Sequence, residues 1–273
     1  MDSLDINTSL ARRILVNFLH DEVHRTGLSR AVVGLSGGID SALSCWLAAE
    51  ALGPENVLAV RMPYKTSSTD SLTHAQLVIE QTGVQSETFA ITEMVDPLLA
   101  TIPADDGKRR GNIMARARLV VLYDRSAATR ALVIDPGNKT EILLGYTTLF
   151  GDSASALNPL GDLYKTQVRQ LARALGVPAP IIDKPPSADL WPGQTDEGEM
   201  GLTYERVDQL LYLLVDQRYR LEECVEAGFE QTFVERVLKL MRQNQFKRMP
   251  PIIAKLSNRT VGYDFLYLRD WGT

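Results

Sequence analysis

Residues 31–48 read AVVGLSGGIDSALSCWLA and contain three successive local patterns. The apolar run 31–33 predicts a buried parallel strand, and the spacing of the apolar residues 43–48 predicts a buried helix that ends at Gly53. A short turn rich in glycine and serine joins them. A strand, a flexible turn and a helix place several backbone N–H groups and a helix N-terminus around one point, a geometry that binds phosphate.

The turn carries the groups that a nucleotide phosphate needs. Its glycines allow close backbone approach, its two serines offer hydroxyls, and Asp40 can hold a magnesium ion that bridges phosphate oxygens. The candidate phosphate-binding residues are Gly34, Leu35, Ser36, Gly37, Gly38, Ile39, Asp40 and Ser41. The turn has neither the Gly-Lys-Ser/Thr ending of a Walker loop nor the third glycine of a dinucleotide fingerprint. A Ser/Gly turn that binds no ligand is the competing interpretation.

Composition limits the class of protein. The chain has 273 residues, of which 45% are hydrophobic and 23% charged, as in ordinary globular proteins. Its net charge of −5 argues against nucleic-acid binding, which needs a basic surface. The two cysteines, Cys45 and Cys224, cannot build a disulfide scaffold or a zinc cluster. No signal peptide and no membrane span are recognisable, so we expect a cytoplasmic protein.

Strand and helix patterns alternate along the first two thirds of the chain. Strands are predicted at Arg30–Leu35, Val57–Met62, Gln85–Ile91 and Arg130–Asp135, with a fifth near Glu141–Leu144 or Ile181–Lys184. Helices are predicted at Asn7–Gly27, Ile39–Leu52, Thr69–Thr82 and Ile113–Ala128, then at Tyr204–Val215 and Gln231–Gln245. This alternation predicts an α/β fold with a doubly wound parallel sheet of about five strands, extra C-terminal helices, and one domain over residues 1–273.

Two further expectations concern surfaces. The first helix should bury the face that carries Leu10, Ile14, Phe18 or Leu19, and Val23. Residues 103–111 and 183–201 are rich in proline, glycine and charge, so they are predicted to be mobile loops near the mouth of the site.

Six motifs together resemble one family. They are SGGIDSA (36–42), RGNIMARAR (110–118), GNKTE (137–141), GDLYKTQVRQLA (161–172), KPPSADLWPGQTDE (184–197) and KRMPP (247–251). The first resembles the pyrophosphate loop of the ATP pyrophosphatase superfamily, which cleaves ATP between the α and β phosphates to adenylate a substrate. All six, in this order, resemble the ammonia-dependent NAD synthetases, over about residues 10–251.

The resemblance implies roles for the ATP and metal sites. Residues 34–41 would hold the ATP phosphates, and Lys165 and Ser187 would contact them. Asp40 and Glu141 would bind Mg²⁺. From the residues alone, both carboxylates are also compatible with turn and helix-cap roles.

The resemblance also implies roles for acceptor binding and chemistry. Arg116 would contact deamido-NAD, as would Lys247 across a homodimer interface. Asp152 would lie near the reacting carboxyl group and is a candidate acceptor for a proton of ammonia, and Lys165 is the second candidate catalytic residue. A structural salt bridge for Arg116 and a turn-forming role for Asp152 remain open.

The reaction implied is amidation of the nicotinate carboxylate of deamido-NAD by ammonia through an acyl-adenylate, with release of AMP and pyrophosphate. A carboxylate is a poor electrophile, so adenylation must first supply a leaving group. Mg²⁺, Lys165 and loop N–H groups can stabilise charge at the α-phosphorus without a covalent intermediate on the enzyme. No glutaminase motif surrounds either cysteine, so free ammonia or a separate ammonia-supplying protein is implied.

Several positions depart from the family pattern. Asp135 replaces a small residue, and Pro136 stands where a threonine usually contacts ATP. Leu149, Ala156 and Phe246 replace a lysine, an aspartate and a histidine associated with deamido-NAD. Either the chain holds the same dinucleotide with different residues, or it amidates a different carboxylate.

Two rival functions fit the motifs less well. A transfer-RNA-modifying enzyme of the same superfamily would need cysteine pairs or a basic face, and the sequence has neither. A nucleotide sensor without catalysis would not need a second metal carboxylate, whereas both Asp40 and Glu141 are present together with Lys165.

Overall fold

The structure, a computed structural model, describes residues 4–187, 195–249 and 251–265. Residues 188–194, the centre of the fifth motif, and Pro250 of the sixth lie outside the described residues.

Strands and helices alternate through the first half of the chain, as predicted. The strands that the structure describes are β1 (Arg30–Gly34), β2 (Val57–Arg61), β3 (Gln85–Thr88) and β4 (Ala131–Ile134). The α-helices are α1 (Thr8–Arg25), α2 (Ile39–Leu52), α3 (Thr69–Thr82), α4 (Thr92–Leu99), α5 (Gly107–Thr129), α6 (Lys139–Leu144), α7 (Lys165–Leu175), α8 (Ala179–Ile182), α9 (Asp196–Met200), α10 (Tyr204–Leu211), α11 (Leu221–Glu226) and α12 (Gln231–Gln243). A π-helical turn, Tyr212–Asp216, continues α10, and 3₁₀ turns cover Pro54–Asn56 and Gln245–Arg248.

The sheet is parallel, with the strand order β3-β2-β1-β4. Val33 in β1 pairs with Ala59 in β2 and with Ile134 in β4. The chain therefore runs outward from β1 in one direction through β2 and β3, and β4 returns to the other side of β1. Ligands of open α/β sheets bind where the strand order reverses in this way, at the carboxyl ends of the strands. The predicted phosphate turn follows β1 at this position.

The prediction of a fifth strand is wrong at both proposed places among the described residues. Residues 141–144 belong to α6, and Ile181 and Ile182 belong to α8. The Asn138 side chain accepts from the backbone N–H of Glu141, and the Glu141 side chain accepts from that of Asn138. This capping box starts a helix where the apolar run alone favoured a strand. A single parallel bridge between Ile134 and Leu157 lies beside β4 instead.

The buried face of α1 agrees with the prediction at Leu19 and Val23 but not at Leu10 and Ile14. Leu10 and Ile14 are 42% and 55% exposed, whereas Leu19 and Val23 are fully buried. Ala11 and Leu15 pack partly against the same core, so the docked face follows the i, i+4 series 11, 15, 19 and 23. The two stripes are adjacent on the helix, and packing against α2 and α7 selected between them.

The segment 103–111 is only partly a loop. The Asp106 side chain accepts a hydrogen bond from the backbone N–H of Arg109 and caps α5, which begins at Gly107. Arg116 consequently lies well inside the helix rather than at its start.

The C-terminal helices form a second apolar cluster, which contacts the sheet and its helices through α6 and α7. The cluster includes Tyr204, Val207, Leu210, Leu211, Val234 and Val237, together with Leu144 and Tyr164. Because Leu144 ends α6 and Tyr164 precedes α7, this packing holds the two helices that carry Glu141 and Lys165. Within the described residues, the structure contains no helix with the length and apolar character of a membrane span.

Candidate active site

The turn after β1 is braced by its own serines. The Ser36 and Ser41 hydroxyls lie 3.0 Å apart, and the backbone N–H of Ser36 donates to the Ser41 hydroxyl. Gly38 occupies the N-cap of α2, where it offers no side chain to the first-turn N–H groups. These groups and the positive end of the α2 dipole suit a phosphate.

Gly37 brings the turn into close contact with α3. Its φ is +78°, and a Cβ atom at this position would stand 2.2 Å from the backbone oxygen of Ser71. Lys184, from the fifth motif, donates to the Ser71 hydroxyl at 2.9 Å. The turn, the start of α3 and residue 184 are thus held together.

A cluster of three charged side chains lies beside this turn. The Lys165 ammonium is 2.5 Å from a carboxylate oxygen of Asp40 and 3.2 Å from one of Glu141. The three residues come from α7, α2 and α6 and are far apart in sequence. All three predicted residues therefore meet, and the Lys165 side chain is 2% exposed.

Burial and neighbouring charges together raise the pKa values of both Glu141 and Lys165 in this cluster. Burial raises the pKa of Glu141, and Lys165 opposes this increase while Asp40 and Asp196 add to it. Burial alone would lower the pKa of Lys165, but the carboxylates of Asp40 and Glu141 outweigh it and raise that pKa. The cluster has more carboxylates than ammonium groups, so an additional cation would stabilise it.

Asn138 is a site residue that the sequence analysis missed. Its side-chain amide donates to Asp40 at 3.0 Å, while its carbonyl oxygen caps α6 at Glu141. One side chain thus orients both predicted metal ligands. The pattern Asn-x-x-Glu at 138–141 is a capping-box signature and could have identified it. A second missed residue, Asp208 in α10, contacts α6 and α7 from behind the cluster.

A cavity of about 890 Å³ opens beside the turn and has a volume typical of ligand pockets. Its wall includes Ser36 of the turn together with Arg116, Asp152 and Lys247, which were predicted to face the acceptor. Ser187 is half-buried and does not belong to the described residues that line this cavity.

Two cations of the cavity wall hold the segment that follows α6. The Lys247 ammonium donates to the backbone oxygens of Gly145 and Thr147 at 2.6 and 2.7 Å. The Arg116 guanidinium donates to the backbone oxygen of Leu149 at 3.2 Å. Burial lowers the pKa of Lys247.

Asp152 faces the same cavity. Its carboxylate accepts from the backbone N–H of Thr148 at 2.6 Å. Burial raises the pKa of Asp152 against the opposing effect of this hydrogen bond. A carboxylate with a raised pKa is a better proton acceptor than an exposed one.

The positions that depart from the family pattern surround these residues. Asp135, Pro136, Leu149 and Phe246 all line the cavity. Ala156 follows the cavity-lining Ser155, and its backbone N–H donates to Val133 of β4. The departures therefore lie in or beside the cavity wall, at positions predicted for ATP as well as for the acceptor, whereas Asp40, Glu141 and Lys165 are present together.

Comparisons with known proteins agree with the motifs. The sequence model of the family described as NAD synthase matches residues 11–251. A relative from Trichlorobacter lovleyi, named NH(3)-dependent NAD(+) synthetase, is 58% identical over 272 residues and covers 100% of both chains.

Solved structures show the same similarity. A structure of NMN synthetase from Francisella tularensis has a TM-score of 0.81 at 31% identity and covers 92% of this chain and 100% of its own. The NH3-dependent NAD synthetase from Campylobacter jejuni, in complex with nitrate ion, has a TM-score of 0.79 at 29% identity with the same coverage. With a matching family model over most of its length and a relative that covers all of it, this chain belongs to the NAD synthase family, and the prediction of an ammonia-dependent NAD synthetase is confirmed.

Proposed function

We propose that this protein amidates deamido-NAD with ammonia at the site formed by the 36–41 turn, the charged cluster and the adjoining cavity. The observation that carries the proposal is the meeting of Asp40, Glu141 and Lys165 beside the turn, with Lys165 in hydrogen-bond contact with both carboxylates. A protein that only binds a nucleotide does not need this second carboxylate.

In the first step, the nicotinate carboxylate attacks the α-phosphorus of ATP and pyrophosphate leaves. The N–H groups at the start of α2 bind the phosphates, and the Lys165 ammonium stabilises the negative charge that develops on them. The braced Ser36–Ser41 pair keeps the turn in place, so little reorganisation is needed when charge develops.

The donor set fits a magnesium ion. Asp40 and Glu141 both present carboxylate oxygens to the Lys165 ammonium, and Mg²⁺ prefers such oxygen ligands and commonly uses only one or two carboxylates. The burial that raises the pKa of Glu141 makes an added positive charge favourable there. When bound by Asp40 and Glu141, Mg²⁺ would neutralise charge on the phosphate oxygens.

In the second step, ammonia attacks the acyl carbon of the adenylate and AMP leaves. Asp152, with its raised pKa and its position in the cavity wall, accepts the proton that ammonia loses. Arg116 and Lys247 supply positive charge to the part of the cavity that would hold the acceptor phosphates. Ammonia arrives free or from a separate protein.

One comparison supports nicotinate mononucleotide as a second candidate acceptor. The Francisella tularensis protein is named NMN synthetase, and the amide in NMN can be made from the carboxylate of nicotinate mononucleotide. Leu149 and Phe246 line the cavity that we propose to hold the acceptor, and a mononucleotide and a dinucleotide would fill this cavity to different extents.

Competition between acceptors tests the proposal. Purified protein with Mg-ATP and ammonia should release pyrophosphate with deamido-NAD at a kcat/KM at least about tenfold above that with nicotinate mononucleotide, a difference of about 1.4 kcal/mol. Asp40→Asn should abolish AMP formation with either acceptor. Preference for the mononucleotide would assign the second function, and activity with neither would reject both.

We also propose that the protein is a homodimer and is located in the cytoplasm. Phe150 and Phe246 are 60% and 58% exposed near the cavity, and exposed apolar side chains of this size favour a homodimer interface. Light scattering on the purified enzyme tests the dimer. The two cysteines are free and buried, which suits an enzyme of the cytoplasm.

A further inference from the structure

Asp208 is a fully buried carboxylate on α10. One of its oxygens accepts a hydrogen bond from the Thr140 hydroxyl at 2.5 Å, and the other accepts from the backbone N–H of Thr166 at 2.8 Å. The two donors lie on α6 and α7, each next to a residue of the charged cluster. A buried carboxylate is costly unless several hydrogen bonds stabilise it, so this arrangement depends on both partners.

The Thr140 hydroxyl extends this connection to Lys165. It accepts from the backbone N–H of Lys165 at 3.0 Å while it donates to Asp208. The N–H groups of Lys165 and Thr166 are the first two of α7, and such groups have no partner within their own helix. α6 and α10 therefore cap α7, and the carboxylate of Asp208 interacts favourably with the positive end of the α7 dipole.

α10 contacts Lys165 at a second point. Tyr204 lies one turn before Asp208 on the same face of α10, and its ring centroid is 5.1 Å from the Lys165 ammonium. The Tyr204 hydroxyl donates to Asp196. The backbone N–H of Lys165 is thus linked to Asp208 through Thr140, and the Lys165 ammonium packs against the ring of Tyr204.

We propose that Asp208 is a positioning residue, which through Thr140 and Thr166 fixes the Lys165 ammonium and the Glu141 carboxylate relative to Asp40. The proposal rests on the proposed function for the reaction it serves. Asp208 lies on α10, outside the six motifs, so the geometry of the catalytic residues would depend on a helix that the motifs do not include. Mutation of a residue that orients metal ligands without contacting the metal typically lowers metal affinity or activity by about 10- to 100-fold.

The first test is Asp208→Asn, which retains size and one acceptor oxygen. The backbone N–H of Thr166 can only donate, so the amide oxygen must face Thr166 and the amide N–H groups must face Thr140. The Thr140 hydroxyl then loses its acceptor. We expect kcat to fall about 10- to 100-fold and the Mg²⁺ concentration for half-maximal rate to rise, with the KM for deamido-NAD within about threefold of wild type.

Variants at Thr140 separate positioning from general stability. Thr140→Val removes the connecting hydroxyl and should reproduce the kinetic defect, whereas Thr140→Ser keeps the hydroxyl and should restore activity. The double variant Thr140→Val with Asp208→Asn should be hardly worse than Thr140→Val alone, because the hydroxyl through which Asp208 acts on Lys165 is already absent there. Asn7→Ala removes the N-cap of α1, and Asn7 belongs neither to the charged cluster nor to the cavity wall, so this variant should lower stability without changing kcat.

Opposite outcomes overturn the proposal. These are a kcat within about threefold of wild type in folded Asp208→Asn, or full additivity in the double variant. If Asp208→Asn does not fold, the Thr140 variants decide instead. Equal activity of Thr140→Val and Thr140→Ser would then overturn the proposal. If wild type does not use deamido-NAD, the proposed function fails separately, and calorimetry of Mg-ATP binding decides on Asp208: an affinity unchanged in Asp208→Asn rejects its role.

Discussion

At the scale of single residues, Asp135 is a buried carboxylate in the cavity wall that lowers the stability of the folded protein at neutral pH. It follows β4 directly and is 7% exposed. One carboxylate oxygen accepts from the backbone N–H of Gly137 at 2.7 Å, and the other accepts from the Ser155 hydroxyl at 3.3 Å. Burial nevertheless raises the pKa of Asp135 to about 6, with a smaller contribution from the negative charge of Asp152. The hydrogen bonds do not fully replace the water that this carboxylate loses on folding.

Asp135→Asn should make the protein more stable at neutral pH. The folded state binds the Asp135 proton more tightly than the unfolded state, so this group's contribution to stability is present below about pH 4 and is lost as the pH rises through about 6. A shift of about two pKa units corresponds to about 3 kcal/mol. The difference in unfolding free energy between variant and wild type should therefore grow by up to about 3 kcal/mol from pH 4 to pH 7 in urea titrations.

An exposed carboxylate provides the control for this experiment. Asp105 lies on the surface of the same chain, so Asp105→Asn makes the same change of side chain without removing a buried carboxylate, and it is the reference variant for the urea titrations. Parallel curves for Asp135→Asn and wild type would contradict the assigned effect of burial on Asp135.

At the scale of elements, the conformation of the 36–41 turn depends on its close approach to α3. The approach is possible because residue 37 has no side chain and adopts a positive φ. Gly37→Ala should cost about 1–2 kcal/mol for the left-handed backbone and more for the contact with the backbone of Ser71, which cannot move independently of α3. We expect the affinity for Mg-ATP in calorimetry to fall at least about tenfold.

Gly27 offers a matched control for that substitution. Its φ is +77°, and a Cβ atom there would have no neighbour within 4 Å. Gly27→Ala should lower stability by the backbone cost alone, and its affinity for Mg-ATP should equal that of wild type. Equal losses of affinity in both variants would show that the contact with Ser71 is unimportant for ATP.

At the scale of the whole molecule, the C-terminal helices and the sheet share the helices that carry the charged cluster. Leu144 and Tyr164 belong to the C-terminal apolar cluster, while Val168 and Leu171 of α7 pack in the core of the sheet. We expect one cooperative thermal transition in calorimetry, with equal calorimetric and van't Hoff enthalpies. Leu210→Ala, at a fully buried position, should lower its midpoint through a loss of about 2–5 kcal/mol. Two transitions, of which only one responds to Leu210→Ala, would contradict the prediction of one domain.

Local patterns were sufficient for much of the fold. The bounds of α2 and α3 agree with the prediction, because a glycine directly follows the last residue of each helix. The parallel pairing of the strands followed from strand–helix alternation. The apolar run at 141–144 was misread because a short run does not distinguish a strand from a buried helix, and the capping box decided for the helix.

The sequence by itself determined the turn between β1 and α2, the family, and the residue types of the charged cluster, because these lie in contiguous motifs. Only the tertiary structure decided which face of α1 is buried, since neighbouring stripes of one helix are almost equally apolar. It alone also brought Asp208 against α6 and α7, across 68 residues from Thr140 and 42 from Thr166. A carboxylate on a helix carries no local signal of such partners, because its hydrogen bonds exist only once separate helices have packed together.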